Sequence, residues 1–347
     1  MKRLTKSLLT CLMLAAFITA ATGQEMKKEF SETFSVDADA KVVIDNKYGK
    51  VHVDTWEKNQ VDIKVLVSVD ARSEKESARV LDNIDVSISG NAKKVSAVTK
   101  FSGKMNCKDC NMKIDYHVQM PAGNALEITN EFGDTYVGKL DGKADLRISY
   151  GKLKADALNA RDNIISMKFG DMEAGSIKAA RVSIEYGKFK LQQAGYLDLY
   201  SRFSELDFAE VSELLFDSQY DGLRIATAGS LDGKAGFTGI DIGMLTDDMD
   251  LVSSYSEIDV KKVGKGFSSI GIESEFGGVK LAFEAKAGYR LFASASFGNI
   301  SFPKAGAKII SEKEKMFDRE VEAVIGDDPD TAASVRVKTK NSDILIK

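Results

Sequence analysis

Residues 183–208 read SIEYGKFKLQQAGYLDLYSRFSELDF, and the phrase inside them returns along most of the chain. An aromatic residue is followed by a glycine or a small polar residue, then by apolar and polar residues in alternation. Working outward, the aromatics are Phe132, Tyr150, Phe169, Tyr186, Phe203, Tyr220, Phe237, Tyr255, Phe276 and Phe297, spaced 17 to 21 residues apart. The residues after them are Gly133, Gly151, Gly170, Gly187, Ser204, Asp221, Thr238, Ser256, Gly277 and Gly298. Apolar residues recur at fixed places beyond, as in Phe189 and Leu191, Leu206 and Phe208, Ile240 and Ile242, or Val279 and Leu281. Tyr48–Gly49, followed by Val51 and Val53, is an early copy.

A fixed period of this length is the mark of a repeat architecture in which each unit buries its apolar face against the next. Within the unit the phase is two, which is that of a half-buried strand. No unit has room for a crossover helix. The fold class expected is therefore all-β: a single-stranded right-handed β-helix, or solenoid, of 17–21-residue coils. The ten aromatics are expected to stack at about the strand spacing of 4.8 Å and to lie in the core. The glycine after each is expected to take a positive φ at a corner. Coils with Ser204, Asp221, Thr238 or Ser256 there are expected to turn differently.

Residues 1–23 read as a cleaved secretory signal peptide, with Lys2, Arg3 and Lys6 ahead of LLTCLMLAAFITA; a retained N-terminal anchor is the alternative. No later stretch is apolar enough to span a membrane as a helix. Residues 24–120 form an N-terminal β region. Within it 73–83 is the one good helix, with Ser73 and Glu76 as a capping box and Ala78, Val80, Leu81 and Ile84 on its apolar side. It is expected to cover an open end of the stack. Residues 121–347 carry the regular coils, with a charged excursion or hairpin at about 311–334. SVRVKTKNSDILIK then closes the last coil with Ile344 and Ile346.

The chain has 48 basic and 52 acidic residues and a net charge of −4. That lacks the basic footprint of a nucleic-acid binder. Proline occurs only at 121, 303 and 329, as a long backbone ladder demands. Cys107 and Cys110 read first as a disulfide in an exported protein; a metal site with His117 or a redox pair are the alternatives.

The segments AKVVIDNKYGKVHVDTWEKNQVDIKV (40–65) and DYHVQMPAGNALEITNEFGDTYVGKL (115–140), with the run of YGK and FGD units, resemble a bacterial adhesin-like family of unknown function common in Bacteroidetes-type envelopes. That resemblance covers about 34–347. It implies an exported β-solenoid and no catalytic residue; the signal peptide points to the periplasm, the outer surface or the medium.

Catalytic machinery is not evident. The two histidines, His52 and His117, sit in alternating strands. There is no G-x-S-x-G, phosphate loop or dinucleotide fingerprint. The acidic loops 246–250 and 326–330 lack EF-hand spacing and read as solvated turns. A carbohydrate-active β-helix would use outward acids such as Asp207, Asp241 and Asp259 at equivalent positions. The expectation is a non-enzyme with no cofactor: a structural, adhesin-like or envelope-sensing module that partners envelope proteins or surface glycans.

Overall fold

The computed structural model describes residues 25–103, 110–326 and 331–347. The expected leader, Cys107 and residues 327–330 lie outside them. The described residues are all-β apart from one helix, with 27 strands joined in one long mixed sheet.

The regular part is built as the spacing requires. The strands Asp171–Glu185, Lys188–Arg202, Glu205–Gln219 and Gly222–Gly236 lie parallel, each offset from the last by one 17-residue rung. Residues that share a phase therefore stack. Leu191, Phe208, Ile225, Ile242, Val260, Leu281 and Ile346 form one buried column, each in register with the next. Between Leu191 and Tyr196 the ladder keeps only Gln193 and Ala194, so the rung bends there as well as at its aromatic.

At the N-terminal end the chain leaves the rhythm. The Tyr48 rung pairs through Lys41–Lys47 and Val51–Trp56 with the Phe132 rung on one side. On the other side it pairs with Lys94–Phe101 and Asn111–Pro121. Antiparallel strands follow and end in two edges, Glu25–Ser35 and Ile84–Gly90. The helix Glu74–Asp82 is capped by Ser73, which accepts from the Glu76 amide. It buries Ser77, Val80 and Leu81 and lies against both edge strands. The helix expected at 73–83 is thus present, packed at the N-terminal end of the sheet.

The C-terminal end departs from sequence order. Ser334–Lys340 and Ile344–Ile346 do not form the last rung. They insert between the Phe276 rung and the Phe297 rung, parallel to both. The charged excursion is an antiparallel hairpin, Ala307–Lys315 with Asp318–Ile325, which extends the sheet beyond Tyr289–Ser296.

Candidate functional site

The aromatic corners are the most regular feature of the surface. Tyr48, Phe132, Tyr150, Phe169, Tyr186, Phe203, Tyr220, Phe237, Tyr255 and Phe276 stack one upon the next. Their ring centroids lie 4.7–5.3 Å apart and their planes within 10°. Tyrosine and phenylalanine alternate strictly through all ten. Phe297 is not in this stack. The inserted rung turns at Asn341, which carries no ring, and Phe297 stacks on Phe317 instead.

Two expectations are corrected here. The rings are not core: each of the ten is 37–52% exposed, so their faces are covered by neighbours while their outer rims meet solvent. The glycines do not carry the positive φ either. The aromatics do, at 51° to 67°. A positive φ reverses the side chain's exit from the corner and sends the ring outward. The glycine is required for another reason. A Cβ on Gly133, Gly151, Gly170 or Gly187 would sit 1.8–2.1 Å from the carbonyl oxygen of the preceding rung's glycine.

The left-handed region costs a side-chain-bearing residue about 1–2 kcal/mol, and a stacked pair returns about 0.5–1.5 kcal/mol. The two nearly cancel. The turn alone would be better served by glycine or asparagine, as at Asn341.

The four polar corners do use a different arrangement, with side chains turned inward. Ser204, Asp221, Thr238 and Ser256 are buried. Each takes a hydrogen bond from the corner amide of the rung before: Gly187 to Ser204, Ser204 to Asp221, Asp221 to Thr238 and Thr238 to Ser256. The Asp221 carboxylate also accepts from Ser201 Oγ and Ser218 Oγ, both at 2.6 Å, and from the Gln219 amide at 3.1 Å.

The acids considered for catalysis are brought into one row, and in it Asp241 and Asp259 hold ion pairs. Lys190, Asp207, Arg224, Asp241, Asp259 and Lys280 follow one another across the strands, so charges of opposite sign mostly meet. Where Asp241 and Asp259 adjoin, Lys261 bridges them at 3.6 and 2.5 Å, and Lys280 adds a second bond to Asp259. Burial alone would raise the Asp259 carboxyl; the hydrogen bonds from Lys261 and Lys280 outweigh it and hold the group below the usual value.

The two histidines meet, which their separation in sequence did not announce. His52 faces His117 across adjacent strands at 5.1 Å and stacks on Tyr136 at 4.5 Å. They edge a groove of about 470 Å3 with Lys50, Asp134 and Lys154. A hydrogen bond to Asp156, with desolvation, pushes the Tyr136 phenol up to about 12. Among the described residues no group of three or more His, Cys, Asp or Glu could hold a metal ion. Cys110 is disulfide-bonded; Cys107, its expected partner, is outside the described residues. A larger groove of about 1,090 Å3 lies beside the C-terminal hairpin, lined by Leu215, Asp232, Asp250, Val252, Phe292 and Arg336. No helix among the described residues is long and apolar enough to cross a membrane.

No family model matches the chain, and no curated protein matches it. Solved structures similar to it include a "putative adhesin" from Bacteroides fragilis, at 13% identity over 73% of this chain and 97% of that one, with a TM-score of 0.34. A "putative adhesin" from Parabacteroides merdae gives 12%, 73%, 95% and 0.35. A "putative lipid binding protein" from Parabacteroides distasonis gives 10%, 73%, 96% and 0.37. Two of these bear the adhesin name of the family that the sequence resembles. Likeness at this level identifies no function.

Proposed function

We propose that this chain is an exported, non-enzymatic right-handed β-solenoid that acts as an adhesin-like surface module, with the aromatic ladder as its contact surface. Constant parallel register from rung to rung supports the solenoid, and right-handed connections are the strong default for parallel strands. The observation that carries the functional reading is the exposure of ten contiguous rings. An aromatic side chain offers about 150–250 Å2, so ten rings nearly half open expose on the order of 900 Å2. The largest apolar patch of an ordinary monomer is about 300–600 Å2, and larger ones mark interaction sites. Stack stability alone does not explain it, because the backbone cost of each corner about offsets the stacking.

Surface proteolysis of intact cells, combined with attachment assays on producing and deleted strains, tests the reading. Exposure to protease and weaker attachment of the deleted strain are expected. A protein shielded from protease, with unchanged attachment, overturns it, as does turnover on a panel of glycans, esters and peptides. The large groove beside the hairpin supports a second reading, a ligand-binding partner in envelope signalling; a specific co-purifying envelope protein is its expected sign.

A further inference from the structure

One stretch of the ladder is bare. Along the rungs from Tyr48 to Glu205 the positions beside the rings hold charged pairs. Lys47 meets Glu131 at 2.8 Å, Lys168 meets Glu185 at 3.1 Å and Lys188 meets Glu205 at 2.8 Å. At Tyr220, Phe237 and Tyr255 they stop, and they resume beside Phe276, where Lys340 meets Glu275 at 2.9 Å. Before Tyr220, Phe237 and Tyr255 stand Gln219, Gly236 and Ser254; two places after them stand Gly222, Gly239 and Glu257.

Neither the backbone nor packing asks for Gly222 or Gly239. Neither has a positive φ, and a Cβ on either would meet nothing within 4 Å. That sets them apart from the corner glycines, which a neighbouring carbonyl forbids from carrying a side chain. Gly222 and Gly239 each open a strand, and close approach of a ligand is one recognised reason for a glycine in a sheet.

The cross-section here is an apolar strip one ring wide, with a bare floor beside it and exposed hydrogen-bonding side chains beyond. Asp217 and Lys234 adjoin on one side, Arg224 and Asp241 on the other. Tyr220 and Tyr255 place phenol hydroxyls on either side of Phe237, two stacking steps of 4.9 and 4.7 Å apart.

We infer that Tyr220, Phe237 and Tyr255 form a binding strip for a neutral, extended glycan that lies along the stack. This rests on the adhesin-like reading and names its ligand. A sugar ribbon has a C–H strip between two hydroxyl edges, and so matches an apolar ridge between two polar rows. The floor holds one charge, Glu257, and the rows beside it balance Asp217 against Lys234 and Arg224 against Asp241, so an anionic polymer meets no net counter-charge.

The test is retention of the full mature chain on insoluble cellulose, chitin and β-1,3-glucan, with heparin as the anionic control, beside attachment of whole cells. Binding to a neutral polysaccharide is expected. Gly222→Lys with Gly239→Lys fills the floor and is expected to weaken it at least tenfold, while Lys152→Ala leaves it unchanged. Phe237→Asn, which keeps a residue suited to the corner, gives the same loss if the double variant folds poorly. Wild-type binding to no neutral polysaccharide, preference for heparin, or full retention by the floor variants overturns the inference. If cells still attach in that case, the adhesin-like reading stands without it; if they do not, both fall.

Discussion

Gly170→Ala and Gly239→Ala make the same chemical change in two glycines of the repeat, and the structure assigns them opposite signs. At Gly170 the new Cβ lies 1.9 Å from the Gly151 carbonyl oxygen and 2.7 Å from Met167 Cε. The thioether can move, but the carbonyl belongs to the ladder. Relief requires the two rungs to part by more than an ångström, against the bond from Tyr150 N–H to Lys168 O at 3.0 Å that joins them. Overpacking costs about 1–3 kcal/mol and the weakened hydrogen bond about 0.5–1.5 kcal/mol, so the loss is about 1.5–4.5 kcal/mol. At Gly239 the Cβ meets nothing and the backbone is permissive. Restricting the unfolded chain then leaves stability unchanged or raises it by up to about 1 kcal/mol. Denaturant unfolding followed by tyrosine near-ultraviolet dichroism measures both. Equal effects, or a Gly170→Ala loss under about 0.5 kcal/mol, would refute the claim that close approach fixes the corner glycine.

Phe203→Asn gives up two stacked contacts but relieves the left-handed corner, so denaturation should shift by only about 1–2 kcal/mol; Phe203→Val, β-branched at positive φ, should lose more. Asp221→Ala strips an acceptor from two buried hydroxyls and two amides, with an expected loss of about 3–5 kcal/mol in the same assay and a smaller one for Asp221→Asn. Asp259 has a lowered pKa, so its contribution to stability is present above the ordinary carboxylate pKa of about 4 and fades as pH falls below it. Wild type and Asp259→Asn should therefore differ in melting temperature at pH 7 and converge toward pH 2.

The local pattern reached far in this chain and then met definite limits. The strand phase was legible because each inward residue, from Leu153 to Leu281, obeys a period of two against its own neighbours. The helix was legible because Ser73 and Glu76 are a local cap. The glycine was misassigned because two needs share one letter: freedom in φ, and absence of a Cβ where another strand's carbonyl intrudes. Only the stack shows that the second applies. The pairing of His52 with His117, and the lysine bridge over Asp241 and Asp259, depend on register between segments far apart in the chain.

The amino acids alone carry the strand phase, set by neighbours within a few places, and the period, set by the 17–21-residue return of the aromatic corner. Tertiary structure decided that the rings leave by the outer side, because the sign of φ at a corner follows from how the rungs close-pack. It also decided that residues 334–346 slide in between two earlier rungs. Every rung offers the same ladder of amides and carbonyls, so local chemistry cannot say which edge a returning strand will join.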